Sequence, residues 1–254
     1  MRQRGRIGFG VEELIAATGL SDVAACRQLT RLSSQVTRVT PRQEFFLIVD
    51  PENQPMGAPP PAWWLDAYFA WLGRPYYLAL QSAAAEYGST MQALQVTQVM
   101  TDKPRRDIVL GRVRIQFFVK SGVRTTPTQP AANAFAPLAV STRAATVLDL
   151  VQYPPRISSI ERAVETLQPL LRNVKRSDFV PVLAHGVATP TLQRLGFVLQ
   201  ASGYVRLADA VHARLPHVLG SVPLDIGTNV RTTRSVPTDP HWSVVLNVTS
   251  PAFT

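Results

Sequence analysis

The chain has 254 residues, of which 46% are apolar and 17% charged, with a formal net charge of +9. It reads as globular, with enough apolar material for two or three small domains. No run approaches the eighteen or so consecutive apolar residues of a membrane span. The Met1-Arg2-Gln3-Arg4 start is followed by no signal-like apolar stretch, and the single Cys26 excludes an internal disulfide or a multi-thiolate zinc site. A cytoplasmic protein without metal or cofactor is expected.

In chain order, Val11, Leu14, Ile15 and Thr18 recur at helical spacing and Gly19 supplies a C-terminal stop. Ser21 caps a second helix, to Leu32, whose Ala25, Leu29 and Leu32 share one face while Arg27, Thr30 and Cys26 point away. Two strands, Val36 to Thr40 and Phe45 to Val49, follow about a turn at Pro41-Arg42-Gln43-Glu44, and together these elements have the spacing of a winged helix-turn-helix. In that arrangement Arg27 or Gln28 reaches base edges beside Thr30, and Arg31, Arg38 and Arg42 touch flanking phosphates. The same module also serves elsewhere as a protein-interaction unit. Cys26 reads more simply as a packing residue than as a reactive thiol.

Residues 50–61 hold five prolines and predict an extended linker. Trp63, Trp64, Ala67, Tyr68, Trp71 and Leu72 then form an aromatic helical stripe suited to burial, and Pro75 opens a helix from Tyr76 to Tyr87 that Gly88 ends. Leu94 to Met100, Ile108 to Leu110 and Val113 to Lys120 read as strands, the last two joined through Gly111-Arg112. In the third strand Val113, Ile115, Phe117 and Val119 alternate with Arg114, Gln116, Phe118 and Lys120, so one face is buried and the other positive. Between Lys103 and Arg124 seven basic residues accompany one acid, Asp107. Lys103, Arg105, Arg106, Arg112, Arg114 and Lys120 are therefore a candidate partner surface, set against the alternative of a solvated face. After a Pro- and Thr-rich loop, Val140 ends a short strand and Ser141 or Thr142 caps a helix carrying Ala145, Leu148, Asp149 and Val151. The stretch from Ile160 to Leu219 is mostly helical, and Trp242 to Val248 closes the chain as a strand.

The ordered motifs Gly73-Arg74-Pro75-Tyr76-Tyr77, Ser82-Ala83-Ala84, Gln95-Val96, Thr101-Asp102-Lys103-Pro104, Val140-Ser141-Thr142, Thr146 to Val151, Tyr153-Pro154, Gln193-Arg194-Leu195-Gly196 and Trp242 through Asn247-Val248 resemble the AbiEi antitoxins of type IV toxin–antitoxin systems. The resemblance implies an α+β protein: a winged helix at residues 1–50, a linker at 51–61, a mixed α/β antitoxin core at 62–155, and a mainly helical region at 156–254. It further implies a role in phage defence by abortive infection. The antitoxin would counter a nucleotidyltransferase-like toxin, directly or indirectly, and repress their shared promoter through the winged helix. The sequence departs from that pattern in a shortened first helix, the uncharged Ser33-Ser34-Gln35, Glu44 in the wing turn, and Ala144 where relatives often carry an acid. A transcriptional regulator without antitoxin activity is the alternative. An enzyme is the least supported reading, because no phosphate-cradling glycine loop, His-Glu-x-x-His helix or nucleophile elbow is present, and His185, His212, His217 and His241 stand apart in sequence.

Overall fold

Two helix-stopping devices organise the N-terminal fifty residues. Gly19, in the left-handed region at φ 68°, terminates α1 (Val11–Thr18), and the Ser21 side chain accepts from the Ala24 N–H to start α2 (Asp22–Arg31). Before α1 lies β1 (Gly8–Gly10), a strand that periodicity did not reveal, and after α2 come β2 (Val36–Thr40) and β3 (Gln43–Ile48). They form an antiparallel sheet in the order β1-β3-β2, with Phe9 opposite Phe46. Thr40 pairs with Gln43, so the hairpin turns on Pro41-Arg42 alone and Glu44 lies within β3. That corrects the four-residue turn expected from sequence. The computed structural model describes residues 7–89, 94–132, 135–153, 159–227 and 236–248, so the Met1–Arg4 start lies outside the described residues.

The chain divides into two compact units. Met1–Leu78, Leu94–Arg124 and Gln129–Val140 form the first, and Ala79–Ala93, Thr125–Thr128 and Ser141–Thr254 the second. Among the described residues no helix is long and apolar enough to cross a membrane.

In the first unit, α3 (Leu65–Trp71) buries Leu65, Tyr68 and Phe69, with Trp64 buried just before it. Tyr68 and Trp71 pack on Phe45 of β3, and Phe69 stacks on Tyr76 and meets Phe117 edge-on. Of the expected aromatic stripe only Trp64 and Tyr68 are core; Trp63, Trp71 and Leu72 are half-buried, Ala67 is exposed, and Leu65 and Phe69 complete the buried face instead. The larger sheet runs in the order β6-β7-β5-β4-β9-β8, built from β4 (Tyr76–Leu78), β5 (Thr97–Thr101), β6 (Ile108–Leu110), β7 (Val113–Val119), β8 (Thr128–Pro130) and β9 (Ala139–Ser141). The helix expected from Tyr76 is a strand as far as Leu78. β4 is paired on both sides, antiparallel to β5 and parallel to β9, and those long-range partners outweigh a local pattern of three residues. Helix α4 (Leu80–Glu86) begins only after it.

The first half of the proline-rich stretch is not extended, although Pro60 keeps an extended backbone at φ -52° and ψ 135°. Pro51–Met56 forms a 3-10 helix, whose φ range proline satisfies, and the segment is laced to its surroundings: Met56 O accepts from Arg112 N, and Trp64 Nε1 donates to Pro59 O. Gly57 and Gly111 meet here backbone to backbone, and a Cβ on Gly111 would lie 2.6 Å from Met56 O, at a φ of +57° that L side chains resist. Gly111→Val is accordingly expected to destabilise the protein by about 1–3 kcal/mol, read as a lower urea midpoint.

The second unit centres on α5 (Arg143–Gln152), capped by Thr142 and buried over every residue from Ala144 to Val151. Ala144 is therefore a core position, where an acid would need an internal partner. Around α5 lie α4, α6 (Ile160–Leu171), α7 (Arg176–Leu183) and α8 (Thr189–Ala201), followed by α9 (Val205–His212). The expected closing strand shrinks to β12 (Val244–Val245) between β10 (Val222–Pro223) and β11 (Thr238–Asp239). Asn247 extends it by side chain, accepting from Asp225 N and donating to Asp225 O. Trp242 is buried against Gly196 of α8, where an added Cβ would fall 1.9 Å from the indole ring. Gln193 donates to Gly220 O and Trp242 O, and Arg194 to Pro223 O. The Gln-Arg-Leu-Gly motif is thus a clasp that holds the C-terminal strands on α8.

Candidate functional site

The outward face of α2 carries Arg27, Gln28, Thr30 and Arg31, all exposed, while Ala25 and Leu29 anchor the helix beneath them. Thr30 Oγ1 donates to Cys26 O, which leaves its lone pairs free to accept. Val23, 62% exposed one turn before Arg27, lies on the same surface. It was missed in the sequence because an isolated valine reads as core. It adds an apolar patch beside Arg27 and Cys26. On the hairpin, Arg42 projects at the turn, but Arg38 is folded back: Nη1 donates to Pro41 O and the guanidinium lies 5.1 Å from the Phe46 ring centre.

A polar knot ties this hairpin to the rest of the first unit. Gln43 Oε1 accepts from Thr40 Oγ1, from the Tyr68 hydroxyl and, at 3.4 Å, from Arg105 Nη2, which also donates to the Tyr68 oxygen at 2.6 Å. The Arg105 guanidinium lies 5.4–5.7 Å from the Tyr68, Phe69 and Phe117 ring centres. Burial raises the Tyr68 phenol above its ordinary pKa, against the opposing pull of Arg105. Tyr68→Phe removes the hinge of this knot and is expected to cost about 1–3 kcal/mol, measured by thermal unfolding.

The six basic residues of the candidate partner surface do not form one face. Lys103 and Arg106 are exposed on the β5–β6 connection, with half-buried Arg105 between them. Arg112 is exposed in the β6–β7 turn and Arg114 on β7. Lys120 follows the far end of that strand, about 20 Å from Arg114 at the usual rise, with Nζ 5.8 Å from the Tyr77 ring centre. Phe118, expected on the positive face, is 1% exposed, so both faces of β7 are covered at that point. What remains together is the basic β5–β6 connection beside the hairpin turn, where Val39–Gln43 and Pro104–Val109 line a groove of about 660 Å³.

The second unit offers different chemistry. The Tyr87 hydroxyl donates to Ser141 O while Arg143 sits 4.5 Å from its ring centre, and burial pushes the phenol up to about 12, with Arg143 opposing. An acid whose folded pKa lies above its unfolded value of 10.0 favours its protonated form in the native state, so its contribution is complete below pH 10 and falls as pH rises toward 12. Tyr87→Phe is therefore expected to flatten the alkaline fall of melting temperature over that window. Burial likewise depresses the Arg194 pKa. His212 and His241, apart in sequence, stack at 4.5 Å on the edge of Trp242. Among the described residues no group of three or more His, Cys, Asp or Glu converges as a metal set.

Residues 77–201 match a family model described as the AbiEi antitoxin C-terminal domain. The match runs from β4 through α8 and leaves out both the N-terminal helices and the Trp242 segment. Among solved structures, the RV2827C protein from Mycobacterium tuberculosis is similar, with a TM-score of 0.67 over 96% of this chain and 87% of that one. At 17% identity this likeness concerns the fold. No curated protein matches.

Proposed function

We propose, from the premise that this chain belongs to the AbiEi antitoxins through its domain at residues 77–201, that it neutralises a nucleotidyltransferase-like toxin encoded beside it. The family match is the observation that carries this reading. In it the protein acts in the cytoplasm, in abortive-infection defence of type IV, without catalysing a reaction and without a cofactor. Arg105 and Arg106, with Lys103 beside them on the β5–β6 connection, are its candidate toxin-facing residues, Arg105 acting from within the knot; Arg112, Arg114 and Lys120 do not share that face.

The second activity in this reading is repression of the shared promoter by an N-terminal winged helix. Support comes from the β1-α1-α2-β2-β3 order, the β1-β3-β2 sheet, and the exposure of Arg27, Gln28, Thr30, Arg31 and Arg42. Arg38 would approach phosphate only after leaving Pro41 O. A regulator without antitoxin activity is the competing assignment, and co-expression with the toxin separates the two. Deleting residues 1–61 is a poor way to separate the activities, because it would strip Phe45 from the Tyr68 and Trp71 rings and expose α3. The cleaner variant is full-length Arg27→Ala with Arg31→Ala. It is expected to keep toxin rescue while losing promoter binding, and loss of rescue would place neutralisation in the N-terminal segment instead.

A further inference from the structure

The groove between the hairpin turn and the β5–β6 connection contains a cation that meets no carboxylate among the described residues. Arg105 spends Nη2 on Tyr68 and Gln43, its Nε is buried without a partner, and among the described residues Nη1 makes no hydrogen bond and no carboxylate pairs with it. A half-buried guanidinium surrounded by three rings has given up much of its hydration, so an arriving anion is strongly favoured there. Exposed Arg42 and Arg106 add positive charge at the rim. The one acid in the lining, Asp107, is turned toward β7, where its Oδ1 accepts from Phe117 N.

The same groove borders a strand edge that pairs with no further strand among the described residues. β6 is the outermost strand of the larger sheet, joined to β7 by a two-residue turn with Leu110 opposite Val113 and Val109 opposite Arg114. That register directs the Val109 N–H and C=O away from β7, and the Val109 side chain is 57% exposed. Phosphates would need only the arginines. An available backbone donor and acceptor beside an exposed valine suit another polypeptide strand.

We infer that this groove captures an extended, acid-rich segment of a protein partner, which adds to the β6 edge at Val109 and sets a carboxylate against Arg105, flanked by Arg106 and Arg42. The inference rests on the reading of this basic region as the antitoxin's partner surface and gives that surface a geometry. The backbone supplies affinity through strand pairing, and alternate acidic side chains supply the match to the arginines.

The test is fluorescence anisotropy of the full chain with a short labelled peptide that alternates glutamate and threonine. Its comparators are the same peptide interrupted by prolines, its lysine counterpart, and a labelled random DNA duplex. The alternating acidic peptide is expected to bind best, and Arg106→Glu to weaken it about tenfold or more, whereas Arg214→Glu, an equal charge change at an exposed position in the turn after α9, leaves it unchanged. Val109→Pro, with folding checked by circular dichroism, removes the outward N–H and is expected to weaken binding without altering charge. Equal loss in Arg214→Glu, or equal binding of the proline-interrupted peptide, would overturn the inference. So would sensitivity to Arg106→Glu seen with duplex DNA alone. Toxin rescue without peptide binding would overturn the groove and leave the antitoxin reading standing; peptide binding without rescue would support the groove and remove that reading.

Discussion

Trp242→Ala is expected to destabilise the second unit by about 3–5 kcal/mol, the range for removing a buried aromatic side chain. The indole is 1% exposed and its Nε1 donates to Gln200 Oε1, while the backbone of the same residue is held by Asp239 Oδ1 and Gln193 Nε2. Removing the ring leaves a cavity against Gly196 and strips support from the stacked His212 and His241. Gly196→Ala attacks the same contact from the opposite side. A Cβ cannot coexist with the ring as placed, so the helix and the C-terminal strands must part, at a cost of at least about 1–3 kcal/mol. Combining Gly196→Ala with Trp242→Phe is expected to cost less than the sum of the two, because the smaller ring yields space. Calorimetry of the full-length protein reads all four states, and strict additivity would contradict the clasp.

Arg27→Ala with Arg31→Ala is expected to produce the largest functional effect at the N-terminus. If Arg27 reads a guanine, its loss costs about 1–3 kcal/mol of discrimination between promoter and random DNA. If Arg31 neutralises a phosphate, its loss lowers the slope of log affinity against log salt by about 0.9. Gel shifts at several salt concentrations separate these contributions. Val23→Ala should weaken promoter binding while leaving the salt slope unchanged, since it removes only methyl contact. An unchanged slope in the double variant would show that α2 does not face phosphate.

The helices were legible in the sequence wherever local signals agreed. Gly19 and Ser21 mark the ends of α1 and α2, and Thr142 caps α5, because capping is decided within a few residues. Elements that depend on distant partners were not legible. Tyr76–Leu78 has no periodicity of its own and becomes a strand through β5 and β9, and the prolines of residues 51–56 are held in a 3-10 turn by contacts such as Met56 O with Arg112 N. The basic cluster shows the same division. Its charge was evident, but nothing near Arg105 announces that Tyr68 and Gln43, 37 and 62 residues away, meet it beneath the surface. Likewise the Gln193 to Gly196 motif was visible as a pattern, and its meaning needed Trp242 in place.

Co-expression in cells shows whether this chain acts as an antitoxin. The candidate toxin, the product of the neighbouring gene, is induced in cells carrying either the full-length protein or an empty vector, and colony formation is counted. Restored growth is expected with the full-length protein and with Arg27→Ala plus Arg31→Ala. Growth arrest that persists despite normal levels of the folded full-length protein would contradict the antitoxin role.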